Sequence, residues 1–186
     1  MKIGIISDTH NLVLPSLYQL FSDINLLIHA GDVESSRVLP EIKAICSNLV
    51  RVAGNRDFDE YPPEREYRIF TEQGLKFFVV HNLTTPSHML GKNKLLIEQH
   101  RPDIVVFGHM HIPFIELRQG TLVLNPGQAG WGKNRTRTAL KVKLNGQRIV
   151  CQLYTLEETT ASLTSNHTFL VDSSLSYGRI IKASEF

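Results

Sequence analysis

Residues Lys2-Ile3-Gly4-Ile5-Ile6-Ser7-Asp8-Thr9-His10 set the frame for the whole chain. Lys2 to Ser7 is a short run rich in β-branched residues that reads as a buried strand, and it breaks at once into Asp-x-His. The same unit, a strand followed by a polar cluster, recurs downstream. Asn25 to His29 is strand-like and leads to Gly31-Asp32. Asn48 to Ala53 is strand-like and leads to Gly54-Asn55. Between these strands, Leu14 to Phe21 has helical spacing, with Leu14, Leu17, Tyr18 and Phe21 on one side. Ser35 to Cys46 reads as a second helix with Ser35 or Ser36 as N-cap. Pro40 inside it delays the helix start or bends the helix. The βαβαβ order implies parallel strands with right-handed crossovers.

The second half reads as β-rich and largely antiparallel. After an irregular polar stretch from Gly54 to Arg65, Tyr67 to Thr71 and Leu75 to His81 are strands around a turn at Gln73-Gly74. Ser87 to His100 reads as a helix despite Gly91, and Asp103 to Phe107 as a buried strand. Phe114 to Leu117, Thr121 to Leu124, Ala139 to Leu144 and Arg148 to Tyr154 follow. Asn145-Gly146 between two apolar strands is a strong hairpin signal. Residues 1–154 are therefore expected to form the domain. Residues 155–186, dominated by Ser, Thr and other polar types, are expected to form a C-terminal extension, partly ordered at best.

The bulk properties exclude more than they select. With 186 residues the chain is long enough for one domain with a substantial core. A net charge of +2 is too mild to argue for a nucleic-acid surface, so nucleic acid is a disfavoured partner. No apolar run approaches the ~20 residues needed to span a membrane, and no signal peptide is evident; a cytoplasmic protein is expected. Cys46 and Cys151 are read as small buried hydrophobes.

Chemistry gathers at five places: Asp8-Thr9-His10, Gly31-Asp32, Gly54-Asn55, His81, and Gly108-His109-Met110-His111. Each falls just after an apolar strand, and ligands of open α/β sheets bind at the carboxyl ends of strands. Asp, Asn and His supply oxygen and imidazole donors without thiolate, a set suited to Mn²⁺, Fe, Zn²⁺, Ni²⁺ or Mg²⁺. Each cluster alone is commonplace: Gly-Asp and Gly-Asn are ordinary turn dipeptides. Their joint occurrence in order carries the weight. His29 is read as a packing or supporting residue. His88, His100 and His167 are expected to be exposed. Trp131 is expected to anchor a loop or line a cleft, and Lys133, Arg135 and Arg137 to form a solvated basic face.

This ordered set resembles the calcineurin-like metallophosphoesterases, and in particular their small single-domain bacterial and archaeal phosphodiesterase branch, which also includes the metallophosphoesterase-fold subunit of retromer. The likeness rests on Ser7-Asp8-Thr9-His10, Ala30-Gly31-Asp32, Ala53-Gly54-Asn55-Arg56-Asp57, Val80-His81-Asn82, Phe107-Gly108-His109-Met110-His111 and Asn125-Pro126-Gly127. It covers roughly residues 1 to 145.

The resemblance implies an α/β fold of two facing mixed β-sheets flanked by helices, a four-layer αββα sandwich. It also implies two divalent metal ions, Mn²⁺ first, with Asp8, His10, Asp32 and His111 on one and Asp32, Asn55, His81 and His109 on the other. The implied activity is hydrolysis of a small phosphate ester, a diester more than a monoester, by attack of a metal-bridging hydroxide. Asp32, Asn55 and Arg56 are the implied catalytic residues. A catalytically weak metal-binding scaffold acting through protein partners is the alternative. A complete donor set favours the enzyme. A homo-oligomer is compatible with either.

Two positions depart from the family pattern. Arg56 stands where many relatives carry His. Arginine cannot serve as a general acid, though its planar fork can clamp phosphate. Asn82 stands where relatives have Gly after the His, and Asn tolerates left-handed backbone angles. Asp57 is expected to orient a neighbour or cap the loop, and Asp57-Phe58-Asp59-Glu60 looks like the retromer branch.

Overall fold

A computed structural model describes residues 1–57, 66–83, 92–130 and 136–183. Expectations placed on Phe58, Asp59, Glu60, His88, Trp131, Lys133 and Arg135, and on the first part of the third helix, lie outside these residues.

Alternation within strands builds two sheets. In β1 (Lys2–Ile6), Ile3 and Ile5 point to one side and Ile6 to the other; in β2 (Leu26–His29), Leu26 and Ile28 oppose Leu27 in the same way. Both faces are apolar because both are covered. β1 pairs in parallel with β2, and β2 with β3 (Leu49–Arg51). The segment linking β2 to β3 opens with a 3₁₀ turn, Ser36–Val38, in which the Ser35 hydroxyl accepts from the Arg37 N–H. Helix α2 follows at Leu39–Ile45. Pro40 sits in the first turn of α2, where it costs no hydrogen bond, so the helix starts late rather than bending. Pro15 plays the same part in α1 (Pro15–Leu20).

The first sheet has the order β12-β11-β10-β9-β1-β2-β3 and the second β4-β5-β6-β8-β7. In the second, β5 (Leu75–Val80), β6 (Ile104–Val106) and β8 (Thr121–Pro126) run parallel. β4 (Tyr67–Glu72) and β7 (Pro113–Arg118) flank them antiparallel. One core lies between the sheets: Ile3, Ile5, Phe77, Val79, Ile104, Leu122, Leu140 and Ile149 meet there. A second, with Leu17, Phe21, Leu27 and Ile42, seals α1 and α2 onto the first sheet. A third, with Phe78, Ile97, Val105 and Phe107, seals α3 (Lys92–His100) onto the second. The four-layer αββα sandwich is thus present.

The C-terminal segment departs from expectation. β9 (Arg137–Asn145) and β10 (Arg148–Leu156) form the hairpin foreseen at Asn145-Gly146. The polar residues beyond them are not a partly ordered tail: Ala161–Val171 forms an 11-residue strand, β11, paired with β10, and Ile180–Lys182 forms β12. The physical reason is that backbone pairing holds β11. Only Phe169 and Val171 are buried in the core, with Ala161 at the other end packed against the core under α1 and α2, so apolar patterning is weak along most of its length. Arg179 fastens this region across the sandwich, with Nε and Nη2 donating to both Asp103 carboxylate oxygens at 2.9 and 2.7 Å. His100 and His167 are half-buried rather than exposed. Cys151 is buried but Cys46 only half-buried, and both are free thiols. Arg137 is not a free basic face: its Nε donates to the Gly130 carbonyl at 3.2 Å. Among the described residues, no helix is long and apolar enough to cross a membrane.

Candidate metal centre

Because β1, β2 and β3 run parallel, their carboxyl ends deliver Asp8, His10, Asp32 and Asn55 to one edge of the first sheet. The parallel β5 and β6 deliver His81, His109 and His111 from the second. All seven meet. His111 Nε2 lies 3.0 Å from Asp8 Oδ1 and 3.4 Å from His10 Nε2. His81 Nε2 lies 3.4 Å from Asp32 Oδ2 and 3.0 Å from Asn55 Oδ1, and Asn55 Oδ1 lies 2.7 Å from His109 Nδ1. The His109 N–H donates to Asp8 Oδ2 at 3.1 Å, joining the two halves.

The proton inventory decides what this cluster wants. His81 Nδ1 lies 2.7 Å from the Ala30 carbonyl and His10 Nδ1 2.8 Å from Glu34 Oε1, so both Nδ1 atoms carry hydrogens. In the neutral rings the lone pairs of both Nε2 atoms then point into the cluster, at other acceptors. Asp8 Oδ1 is buried there and, among the described residues, forms no hydrogen bond of good geometry, with His111 Nε2 3.0 Å away. Acceptors facing acceptors at these distances repel one another unless a cation or added protons lie between them. Donor atoms bound to one cation at ~2.1 Å sit ~3.0–3.4 Å apart, and four of these five separations fall in that range, Asn55 Oδ1 to His109 Nδ1 being shorter at 2.7 Å. Asp8, His10 and His111 form one compact group, and Asp8, Asp32 and His81 a second. These groups overlap at Asp8, and Asp32, which the resemblance puts on both cations, belongs to the second.

Backbone strain marks the same residues. Asp8, His10, Asp32, His109 and His111 all adopt positive φ, between 45 and 66°. Such angles are uncommon outside glycine and gather where function over-determines the backbone. Close approach explains two glycines: a Cβ on Gly54 would lie 2.1 Å from Asp32 Oδ1, and one on Gly108 2.0 Å from Ser7 Oγ.

A family model described as the calcineurin-like phosphoesterase superfamily domain matches residues 1–147. The chain belongs to this superfamily. It is 30% identical over 164 residues to a probable metallophosphoesterase of Methanocaldococcus jannaschii, covering 85% of this chain and 83% of that one. A phosphodiesterase of the same organism is 30% identical over 145 residues, covering 69% of this chain and 84% of its own. Among solved structures, vacuolar protein sorting 29 from Cryptosporidium parvum superposes with a TM-score of 0.74 at 22% identity, covering 91% of this chain and 97% of that chain. That last likeness is one of fold.

Within this metallophosphoesterase fold, supporting residues hold the donors. His29 is fully buried. It accepts the Gly31 N–H at Nδ1, 3.2 Å away, and so presents Nε2–H to the Thr9 hydroxyl at 3.0 Å. It thereby ties the Asp8-Thr9-His10 loop to the Gly31-Asp32 loop. Burial drives its pKa down to about 3, so it stays neutral. Asp57 caps both loops, accepting the N–H groups of Asp32, Glu34 and Gly54 at 3.1, 2.6 and 2.8 Å. Asn125 accepts the Gly127 N–H at Oδ1 and donates to the Gly108 carbonyl, fixing the loop that carries His109 and His111.

Sequence reading missed Glu34. Its carboxylate accepts from His10 Nδ1 and from Asn11 Nδ2, and its Oε1 lies 3.2 Å from Arg56 Nε. A lone Glu in a loop gives no periodic or motif signal, which is why it was invisible. Arg56 is exposed. Its backbone N–H donates to Asp32 Oδ1 at 2.8 Å while its side chain leans on Glu34. Asp32 has a lowered pKa: burial opposes ionisation, but the His81 hydrogen bond and charge and the Arg56 N–H overcome it. His81 has a raised one, with burial outweighed by Asp32 and Asp8. Burial lowers that of His109, and the neighbouring His81 adds to the effect.

Proposed function

We propose that this chain is a metal-dependent phosphodiesterase acting through two divalent cations, with Mn²⁺ the first candidate. The observation that carries the reading is the convergence of Asp, Asn and His side-chain oxygen and nitrogen atoms from both sheets around the buried Asp8 carboxylate. Asp8, His10, Asp32 and His111 would hold one cation, and Asp32, Asn55, His81 and His109 the other. Bound there, the cations would supply Lewis acidity, lowering the pKa of a coordinated water and neutralising phosphoryl oxygens.

The chain's own residues contribute orientation and access. Asn55 and His109 are the exposed members of the set, so the phosphoryl group enters over them. The Asn55 side-chain amide can donate to a phosphoryl oxygen as negative charge accumulates. Arg56, anchored at Nε by Glu34, has its remaining N–H groups to offer an incoming phosphate at the rim. It cannot protonate a leaving alkoxide, so substrates with acidic leaving groups are favoured. The 30% identity to an archaeal phosphodiesterase supports a diester as the natural substrate class.

Metal-free protein supplemented with Mn²⁺ should hydrolyse bis(p-nitrophenyl) phosphate, and a chelator should stop it. Asp32→Asn and His109→Ala should each lower kcat/KM by ~100-fold or more. Unchanged turnover in either variant defeats the assignment. Tight Mn²⁺ binding with no turnover of any phosphate ester would favour the scaffold reading.

A further inference from the structure

Glu34 lies in the loop after β2, beside the metal centre, and its backbone is strained. It stands at φ 72°, in the left-handed region that a residue with a Cβ rarely adopts. Neighbouring backbone holds it there. The N–H groups of His10 and Asn11 donate to the carbonyls of Asp32 and Val33, each at 3.1 Å, so the loops after β1 and β2 run side by side. The Glu34 N–H donates to Asp57 Oδ1 at 2.6 Å. Strain maintained in this way gathers where a side chain must be delivered to one place.

The Glu34 carboxylate reaches three side chains. Oε1 accepts from His10 Nδ1 at 2.8 Å and lies 3.2 Å from Arg56 Nε, and Oε2 accepts from Asn11 Nδ2 at 3.0 Å. A carboxylate on Nδ1 leaves Nε2 as the ligand atom of the His10 ring and fixes where it points, toward Asp8 and His111. Arg56 is exposed, and an exposed ion pair is weak by itself. Here its acceptor is already immobilised by His10 and Asn11, and the Arg56 backbone N–H is held by Asp32 Oδ1 at 2.8 Å. One carboxylate oxygen therefore contacts both a side chain of the metal centre and the cation at its rim.

We propose that Glu34 is a positioning residue with two outputs. Through His10 it sets the affinity for the cation held by Asp8, His10 and His111. Through Arg56 it sets capture of the phosphoryl group. The second output rests on the phosphodiesterase reading above, whereas the first rests on metal binding alone. Glu34 acts through these two residues and takes no part in bond breaking.

Side-chain variants test it, since the backbone tie to Asp57 stays in place. In Glu34→Ala, Mn²⁺ affinity measured by calorimetry on metal-free protein should fall ~10–100-fold. At saturating Mn²⁺ the KM for bis(p-nitrophenyl) phosphate should rise about fivefold or more, with kcat less affected. In Glu34→Gln the amide oxygen still accepts from His10 Nδ1, so Mn²⁺ affinity should recover to within about threefold of wild type. The charge facing Arg56 is gone there, so the raised KM should persist. Arg56→Ala should raise KM with Mn²⁺ affinity unchanged. Added to either Glu34 variant, it should raise KM by less than it does alone, because Arg56 acts through Glu34. Using both Glu34 variants keeps the comparison decisive if one of them fails to fold. Unchanged Mn²⁺ affinity in Glu34→Ala overturns the first output. An Arg56→Ala effect of the same size with and without Glu34 overturns the second. No hydrolysis by the unaltered Mn²⁺-loaded protein overturns the phosphodiesterase reading instead, and with it the second output, while calorimetry still decides the first.

Discussion

At the scale of the residue, the metal centre depends on groups that never face the substrate. Asp57 is the sharpest case. The residue is 7% exposed, and its carboxylate collects N–H groups from Asp32, Glu34 and Gly54, three donors that would otherwise be stranded beneath the site. Asp57→Ala should cost ~3 kcal/mol of stability by denaturant titration and weaken Mn²⁺ binding ~10–100-fold. If metal affinity is unchanged, the loops are held by something other than this cap. Legibility varied at this scale. The seven side chains that meet at the site could be picked out in the sequence because each follows a strand in a recurring pattern. Glu34 could not, because its role comes from two loops touching, and no spacing in the chain encodes that contact.

At the scale of the element, the loops after β1, β2 and β3 pack so closely that glycine is required. Asp32 is fixed by Arg56, Asp57 and His81 and cannot retreat from a Cβ at Gly54, 2.1 Å from its Oδ1. Gly54→Ala should therefore lower phosphodiesterase kcat/KM by ~10-fold or more with the fold kept, as followed by circular dichroism. Wild-type activity in that variant would mean that the loop yields easily. The β1–β9 side carries a different constraint. Asp23, just past α1, bonds the ammonium groups of Lys141 and Lys2, and these hold its pKa down to about 2. A depressed folded-state pKa means that its stabilising contribution is complete above about pH 4 and disappears as pH falls toward 2. Asp23 is half-exposed, so salt should weaken the contribution. In Asp23→Asn, the acid limb of stability should be flatter over that window at low ionic strength. A limb identical to wild type would show that the pairs contribute nothing in solution.

At the scale of the whole molecule, the site lies where two sheets meet, so ligand binding and folding are coupled. Cations bound between β1–β3 and β5–β6 bind the native state alone and should raise Tm in proportion to the logarithm of their free concentration. Ligation needs neutral imidazoles, and His81 has a raised pKa in the metal-free protein because Asp32 and Asp8 outweigh its burial. Binding must displace that proton. Mn²⁺ affinity, measured by calorimetry in buffers of differing ionisation enthalpy, should fall as pH drops through the raised value, with proton release on binding. Affinity flat with pH down to 5 would contradict this.

The sequence by itself determined β1 to β10 and the order of the polar clusters, because apolar alternation and strand-end punctuation are local properties that survive without any tertiary partner; the two-sheet sandwich was legible through the family resemblance that those ordered clusters carry. Pro40 announced a disturbance in α2 but left a late start and a bend both open, and the structure decided for the late start. Tertiary structure decided the rest. β11 is held by a ladder to β10 that its mostly polar residues do not announce, and Arg179 finds Asp103 across 76 positions of chain. The meeting of Asp8 with His111, and of Asn55 with both His81 and His109, exists only once two sheets have packed face to face. Distance along the chain says nothing about such contacts, since packing energy, not local preference, brings them together.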